Sequence, residues 1–110
     1  MILWLPFPPS TNNLFLNARK GRILSPEYRA WRKQAGWELQ AQKPQAFTTR
    51  VILTIDLDDT KQGDCANREK AVTDLLVSHK VIPGDQKKWV KRVSIGWESI
   101  RECRVRIEPV

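Results

Sequence analysis

Hydrophobic residues change their spacing from one segment of the chain to the next, and the spacing predicts strands alternating with two helices. Residues 2–5 and 50–58 are short runs of aliphatic residues, which is typical of strands, and the second run is continuous enough to be buried. Between these runs, apolar residues recur at three- and four-residue steps, which predicts a helix with one buried face. The members of this stripe are Tyr28, Trp31, Ala35 and Leu39.

Local signals place the ends of the first helix and of a hairpin before it. Ser25 offers a hydroxyl N-cap and Pro26 suits the first helical position, so the helix is predicted to begin there and to run to about Lys43. Residues 13–24 alternate on either side of a lysine-glycine pair, which predicts a hairpin with a basic tip.

The second half of the chain predicts another helix and two more strands. The helix is expected to begin near Asp64 or Asn67 and to end near His79, because a proline-glycine pair follows. Residues 87–99 and 101–110 alternate well enough to form two antiparallel strands that close the sheet. The elements together predict an α/β (α+β) fold, a small mixed β-sheet with two principal helices.

The composition adds a strong positive charge and argues against several classes of protein. The net charge is +7 and the pI is near 9.9, which favours polyanionic partners such as nucleic acid or an acidic membrane surface. No apolar run approaches the ~20 residues of a membrane span, and the apolar N-terminus lacks the basic region of a signal peptide, so a cytoplasmic protein is expected. Cys65 and Cys103 are too few for a disulfide framework and are expected to be reduced.

Polar residues suited to catalysis gather at the start of the second helix. Asp64, Asn67, Lys70 and Asp74 follow one another at three- and four-residue steps and are predicted to lie on one side of that helix. The simplest interpretation is structural: Asp64 caps the first turn, while Lys70 and Asp74 form an exposed ion pair.

A catalytic interpretation of the same residues requires a second carboxylate. Asp85 follows the proline-glycine break, in a turn that can return it toward the start of the helix. Carboxylates in pairs suit Mg²⁺, which prefers oxygen ligands and keeps several waters. The basic surface would attract a phosphodiester, and the metal would activate water and stabilise the charge that develops on phosphorus.

Four segments of the chain, in this order and at these distances, resemble the RusA family of Holliday-junction resolvases of bacteria and phage. The segments are "LPFPPSTNN", "LSPEYRAWRK", "DCANREKAVTDLL" and "GDQKKWV". The resemblance covers nearly the whole chain and treats residues 1–110 as one nuclease domain. The N-terminal family motif, Pro-Pro-Ser-x-Asn, is matched by Pro8, Pro9, Ser10 and Asn12.

The family's helix signature is Asp-x-Asp-Asn with a lysine three residues further on, and it is matched by Asp64, Asn67 and Lys70. A further family aspartate is matched by Asp85. The resemblance implies a homodimeric, Mg²⁺-dependent endodeoxyribonuclease that resolves four-way DNA junctions by paired nicks in recombination and repair. It implies that Asp64 and Asp85 are metal ligands, that Lys70 lies near the scissile phosphate, and that Asn67 belongs to the catalytic set.

The chain departs from the family pattern at Ala66, where the family carries its second aspartate. Alanine offers no lone pair to a metal, so Mg²⁺ affinity is expected to fall and junctions are expected to be bound but cut poorly or not at all. Ala66 is either a natural loss or a deliberate substitution that holds substrate without cleaving it, and the match of every neighbour favours the second. Asp58 or Asp59, at the end of the preceding strand, is a further candidate for a compensating ligand.

Basic residues on the hairpin tip, on the first helix and beside Asp85 are the candidates for DNA contacts. Contacts of this kind bind phosphates, fix position and make binding sensitive to salt. With the motif asparagine and the signature lysine, the set is Asn12, Arg19, Lys20, Arg22, Arg29, Arg32, Lys33, Lys70, Lys87 and Lys88.

Two other classes of function compete with the junction nuclease. One is a non-catalytic protein that binds branched DNA, in which Ala66 reflects natural decay. The other is a small basic interaction protein without a nucleic-acid role, which would show no preference for junctions. A symmetric dimer suits the nuclease best, since a four-way junction offers two equivalent strands.

Overall fold

The fold contains six strands and two α-helices in the described part of the chain. The computed structural model describes the backbone of residues 1–10, 15–18 and 21–110. Side chains are described for residues 1–10 and 24–110. The strands are β1 (Ile2–Leu5), β2 (Phe15–Ala18), β3 (Gly21–Leu24), β4 (Val51–Asp58), β5 (Val90–Glu98) and β6 (Cys103–Pro109). The helices are α1 (Pro26–Ala41) and α2 (Glu69–Ser78), and a short 3-10 helix (Cys65–Arg68) leads directly into α2.

Strand β4 lies inside a four-stranded mixed sheet of order β1-β6-β4-β5. It pairs antiparallel with β6 and parallel with β5, while β1 pairs antiparallel with β6. Strands β2 and β3 form a separate antiparallel hairpin. The predicted fold, a small mixed sheet with two principal helices, is therefore confirmed.

The parallel pairing of β4 and β5 requires a crossover, because two parallel strands cannot be joined by a tight turn. The 3-10 helix and α2 supply this crossover. The two carboxy-terminal strands run in opposite directions, as predicted, but β4 lies between them. Alternation along β5 and β6 indicates that each is a strand, and it carries no information about which strand separates them.

The hydrophobic core lies between one face of the sheet and the two helices. Leu53, Ile55 and Leu57 of β4 are fully buried, and they belong to one cluster that also contains the buried residues of α1 and α2. The four residues of the predicted α1 stripe are all buried. Fully burying a side chain of this size contributes about 1.5–3 kcal/mol, so this cluster is the main source of stability.

Helix α1 begins where the sequence predicts. The Ser25 hydroxyl accepts a hydrogen bond from the Tyr28 backbone N–H at 3.1 Å, and Pro26 occupies the first turn. The helix ends at Ala41, two residues before the predicted end, and Lys43 has a left-handed backbone with φ of 51°. Helix ends fray, so a difference of two residues between the predicted and the observed end is common.

The two helices approach each other closely at Gly36 and His79. A Cβ atom on Gly36 would lie 2.8 Å from His79 Nε2, which is closer than a methyl group can approach. The imidazole is held there by Gln40, whose Nε2 lies 2.9 Å from His79 Nδ1. His79 is therefore a packing residue at the end of α2, where the helix was predicted to end.

The start of α2 differs from the prediction. Asp64 and Asn67 were expected on one helical stripe with Lys70 and Asp74, but they belong to the 3-10 helix and the residue before it. A 3-10 helix advances three residues per turn, so it does not continue the stripe of the α-helix. The spacing of the signature is preserved in the sequence, while its first half has a different geometry.

The sheet face away from the helices carries an ion-paired cluster. The Asp56 carboxylate is 4% exposed and accepts hydrogen bonds from Arg104 Nε at 2.9 Å and Arg106 Nε at 3.2 Å. The Arg104 guanidinium also lies 5.8 Å from the centre of the Trp4 ring. Two of the chain's basic side chains are thus ion-paired with one carboxylate on this face.

Both cysteines are free, as expected. Burial raises the pKa of the Cys103 thiol to about 12, so this thiol is protonated at neutral pH. Within the described residues, no helix is both long and apolar enough to cross a membrane.

Strand β4 ends in a turn organised by the Asp58 carboxylate. Its Oδ1 accepts hydrogen bonds from the Thr60 hydroxyl at 2.7 Å and from the Thr60 N–H at 3.0 Å. Its Oδ2 accepts a third hydrogen bond from the Glu102 N–H at 3.3 Å. These bonds, the Thr60 hydroxyl first, hold the pKa of Asp58 below its usual value.

This turn predicts a loss of stability in acid. Because the pKa of Asp58 is lower in the folded chain than in the unfolded chain, its contribution is present above about pH 4 and is lost as the pH falls through the folded value. Thr60→Val removes the first of these bonds, so the pKa of Asp58 should rise in a carbon-detected NMR titration. The loss of stability between pH 6 and pH 3, measured by urea unfolding, should be smaller than in the unsubstituted chain. An unchanged pKa of Asp58 in Thr60→Val would contradict the assignment.

Candidate functional site

Asp64 is exposed and lies just before the crossover between β4 and β5. It directly precedes the 3-10 helix with an extended backbone, φ −93° and ψ 125°, and its carbonyl accepts a hydrogen bond from the Asn67 N–H at 3.2 Å. Its side chain makes no capping hydrogen bond, so the structural explanation of Asp64 as a side-chain cap is wrong. Ala66 is the second residue of the 3-10 helix and is also exposed, so a larger side chain fits at this position.

The 3-10 helix is fixed against the edge of the sheet. The Cys65 Sγ lies 3.7 Å from the Ile95 carbonyl oxygen, in the middle of β5. Cys65 is partly buried and packs against the hydrophobic core. Asp64 and Ala66 therefore project from a segment whose inward side is anchored.

Asp85 lies in the turn that leads into β5. The turn is closed by hydrogen bonds from the N–H groups of Trp89 and Val90 to the Gln86 carbonyl, at 2.8 and 2.9 Å. The N–H of Val51, the first residue of β4, donates to the Trp89 carbonyl at 2.9 Å. Asp85 thus lies near the end of the sheet where β4 and β5 both begin, and its side chain is exposed. The predicted return of Asp85 toward the start of α2 is not seen within one chain, because Asp64 follows the opposite end of β4.

The six aspartates of the chain fall into two groups. Four have partners: Asp56 binds two arginines, Asp58 holds the turn, Asp59 accepts from Ser99 at 3.4 Å, and Asp74 pairs with Lys70. Within the described residues, the carboxylates of Asp64 and Asp85 have neither a hydrogen bond nor an ion pair. The two aspartates assigned to metal by the sequence are those that no described side chain engages.

The two candidates for a compensating ligand differ in their surroundings. Asp58 uses both oxygens on the turn after β4, and Asp59 receives the Ser99 hydroxyl. Among the residues that the structure describes, no three His, Cys, Asp or Glu side chains lie together as a metal-binding group.

Lys70 and Asp74 form the predicted ion pair on α2. Their charged groups are 3.5 Å apart, and the side chains are 52% and 38% exposed. A pair this exposed contributes at most about 1 kcal/mol, so separating the two charges costs little free energy. The carboxylate and the ammonium also lie near Tyr28 of α1, whose hydroxyl pKa is raised mainly by burial.

The candidate DNA-binding residues of α1 differ in their surroundings. Arg32 lies 5.7 Å from the centre of the Tyr28 ring, and its Nη2 donates to the Ser78 hydroxyl at 3.4 Å, so it links α1 to α2. Arg29 and Lys33 are exposed. The side chains of Lys87 and Lys88 are exposed as well.

Several candidates fall outside the described residues. Asn12, Arg19 and Lys20 are among them, and for Arg22 the structure describes the backbone within β3 but not the side chain. Their assignment to DNA contacts stays a prediction. Asn67 lies in the 3-10 helix and is partly buried.

Arg68 joins the proline segment of the N-terminus to the loop that carries Asp64. Its Nη1 donates to the Pro8 carbonyl at 2.7 Å, and its Nη2 donates to the Gln62 carbonyl at 3.1 Å. The guanidinium carbon lies 4.6 Å from the centre of the Phe7 ring. Gly63, with φ of 115°, leaves room for this guanidinium, since a Cβ there would lie 2.9 Å from Nη2.

The proline segment has three further anchors. The Phe7 ring stacks on Trp97 of β5 at 6.3 Å, and the Phe7 N–H donates to Glu102 Oε2 at 2.8 Å. The Trp31 indole N–H donates to the Pro6 carbonyl at 3.0 Å. Phe7 is therefore a packing residue between Arg68 and Trp97. Sequence reasoning missed Arg68, because spacing alone does not distinguish one arginine of a basic chain from another.

A comparison with protein-family models matches residues 6–108 to the family Endodeoxyribonuclease RusA. The chain belongs to the RusA family. RusA proteins are endodeoxyribonucleases that resolve Holliday junctions, and they are generally metal-dependent. A comparison with curated proteins finds no match.

The family match covers every segment on which the resemblance rests, from the proline motif to the strand after Asp85. Arg68 connects the proline segment and the loop before α2, the two segments in which the resemblance places family motifs. The roles of Asp64, Asn67, Lys70 and Asp85 in this RusA chain remain predictions.

Arg68→Lys tests the connection between the two RusA segments. Lysine keeps the charge but cannot bond both carbonyls from one planar group, so unfolding free energy should fall by about 2 kcal/mol. The measurement is urea unfolding followed by tryptophan fluorescence. Arg101→Lys, at an exposed arginine in the turn before β6, is the matched control and should change stability by less than about 0.5 kcal/mol. Equal effects of the two substitutions would show that Arg68 is not a structural link.

Proposed function

We propose that this chain is a junction-resolving endonuclease whose Mg²⁺ site consists of Asp64 and Asp85 and has lost a third ligand at Ala66. The observation that carries the proposal is that these two carboxylates, alone among the six aspartates, have no partner in the described structure. An exposed carboxylate without a partner is free to bind a hard cation. Carboxylate oxygens are the donors that Mg²⁺ prefers, and water takes the remaining positions around the ion.

The bound metal supplies an activated water and stabilisation of charge on the phosphorus. The protein contributes the rest. Lys70, once released from Asp74, places its ammonium beside a non-bridging phosphate oxygen, and Asn67 precedes it on the 3-10 helix. Two pairs of exposed cations bind backbone phosphates, which positions the DNA without reading its bases. They are Arg29 and Lys33 of α1, and Lys87 and Lys88 of the turn before β5.

The loss of a ligand at Ala66 should separate binding from cleavage. Two carboxylates hold Mg²⁺ less tightly than three, whereas the basic surface that binds DNA does not depend on the metal. The chain as it stands should therefore bind four-way junctions in the cytoplasm and cut them poorly. The side chain at position 66 points to open space on an anchored 3-10 helix, so restoring a carboxylate should not disturb the fold.

A second candidate function is a protein that binds branched DNA and does not cut it. Ala66 favours this alternative, since it removes a ligand on which the nuclease activity depends. The two candidates make the same prediction for binding and opposite predictions for a chain with the carboxylate restored.

Ala66→Asp should convert the chain into an active resolvase. On a labelled four-way junction with Mg²⁺, paired symmetric nicks should appear at a rate at least about 100-fold above that of the unsubstituted chain. Ala66→Asn is the matched control, because it has the same shape without the charge and should restore little activity. Asp64→Asn in the Ala66→Asp background should abolish cutting. If Ala66→Asp binds the junction yet produces no nicks, the metal site is wrongly assigned and the non-catalytic binder is the better account.

The proposed active form is a homodimer. Each half of a four-way junction presents an equivalent strand, so two copies related by a two-fold axis address both strands at once. The described chain exposes large apolar side chains that a partner would cover, among them Trp37 at 75%, Ile2 at 56% and Trp4 at 46%.

Light scattering should therefore give a mass of twice the 12.8 kDa of one chain. Titration into four-way junction DNA without divalent metal should saturate at two chains per junction. Saturation at one chain per junction, or a monomer at all concentrations up to about 100 μM, would contradict the dimer.

A further inference from the structure

A cleft at the end of the sheet where β4 and β5 begin is lined by three basic side chains. Its volume is about 380 Å³, and its lining residues are Arg50, Lys87 and Lys88. Arg50 directly precedes β4, and the two lysines lie in the turn before β5. Because β4 and β5 are parallel, their first residues lie at the same end of the sheet. The three basic side chains therefore lie together at that end.

The Arg50 side chain is held in place at this cleft. Its Nε donates to the Lys87 carbonyl oxygen at 3.0 Å, which ties the guanidinium to the turn before β5. Its own carbonyl accepts a hydrogen bond from the Val110 N–H at 2.9 Å. The two terminal nitrogens, which form the fork that binds phosphate oxygens, have no partner within the described residues.

The three lining side chains of the cleft form no ion pairs in the described part of the chain, and Asp85 is the nearest carboxylate in the sequence, two residues before Lys87. The Lys88 ammonium lies 4.9 Å from the centre of the Trp89 ring, a contact that favours one orientation of the side chain. Exposed lysines are commonly just solvated, but an arginine fixed between two of them is a ready donor to an anion.

We propose that this cleft binds a phosphate group and that Arg50 is its anchoring donor. This proposal rests on the proposed function, because it identifies the ligand as a backbone phosphate of the DNA near Asp85. The Arg50 fork takes two phosphate oxygens, while Lys87 and Lys88 contribute charge from the facing turn. The position of Asp85, two residues before Lys87, places the phosphate near one of the two proposed metal ligands.

Arg50→Gln tests the cleft through the salt dependence of binding. Junction affinity is measured by fluorescence anisotropy from 50 to 300 mM salt without divalent metal, so that no strand is cut. Loss of one phosphate contact should lower the slope of log K against log salt by about 1 and weaken binding roughly 10-fold at low salt. Arg50→Lys should give an intermediate result. Arg101→Gln, which removes the same charge from an exposed site, should change the slope much less.

A second measurement makes the test independent of junction binding. Inorganic phosphate is titrated against chloride at equal ionic strength, and the backbone amide signals of Lys87 and Lys88 are followed by NMR. These signals should shift with saturation in the unsubstituted chain and not in Arg50→Gln, whose remaining signals report that the fold is intact. If they shift but Arg50→Gln leaves the salt slope unchanged, the cleft takes free phosphate and the assignment to DNA is overturned.

Two other outcomes separate the cleft from the proposed function. If Arg50→Gln and Arg101→Gln change the slope equally and phosphate causes no saturable shift, the cleft is not a phosphate site. If the unsubstituted chain shows no preference for junction over duplex while phosphate still saturates the cleft, the phosphate site stands and junction resolution fails.

Discussion

The arrangement of the site depends on the hydrogen bonds that the Arg68 guanidinium donates. It binds carbonyl groups of two segments that are far apart in the sequence, the proline segment at the N-terminus and the loop after β4. Neither segment has regular secondary structure to hold it in place. The Phe7 ring under the guanidinium, and Trp97 under that ring, connect both segments to β5. Asp64 is therefore positioned by a cation bound to backbone oxygens, with the sheet as a rigid base.

Much of the framework was predictable because it depends on local patterns. The Ser25 cap, the buried stripe of α1 and the buried strand β4 each follow from residues that are neighbours in the sequence or one helical turn apart. The 3-10 helix before α2 was not predictable in the same way, since three- and four-residue spacings suit either helix type over so short a segment. The insertion of β4 between β5 and β6 depends on contacts between distant residues, which alternation within one strand does not contain. The same holds for the candidate site: the two unpartnered aspartates were found from spacing and family resemblance, while Arg68 and Arg50 required the folded chain.

Charge is distributed unevenly between the inside and the outside of this basic protein. The Asp56 carboxylate forms ion pairs with two arginines on the sheet, and Asp58, Asp59 and Asp74 are bound by neighbouring donors. Four of the six aspartates thus serve the fold itself. The other two, Asp64 and Asp85, are exposed on a surface with an excess of cations. A single uncharged residue such as Ala66 has little effect on the attraction of such a surface for a polyanion.

The close approach of α1 and α2 at Gly36 has a consequence for how this protein tolerates sequence change. The imidazole of His79 occupies the space that any side chain at position 36 would need. Because the atoms that a Cβ at position 36 would meet all belong to the His79 side chain, a substitution there must displace the imidazole. The displaced ring would lose its contact with Gln40. The packing of α1 against the end of α2 therefore depends on a glycine and on an imidazole held by one amide.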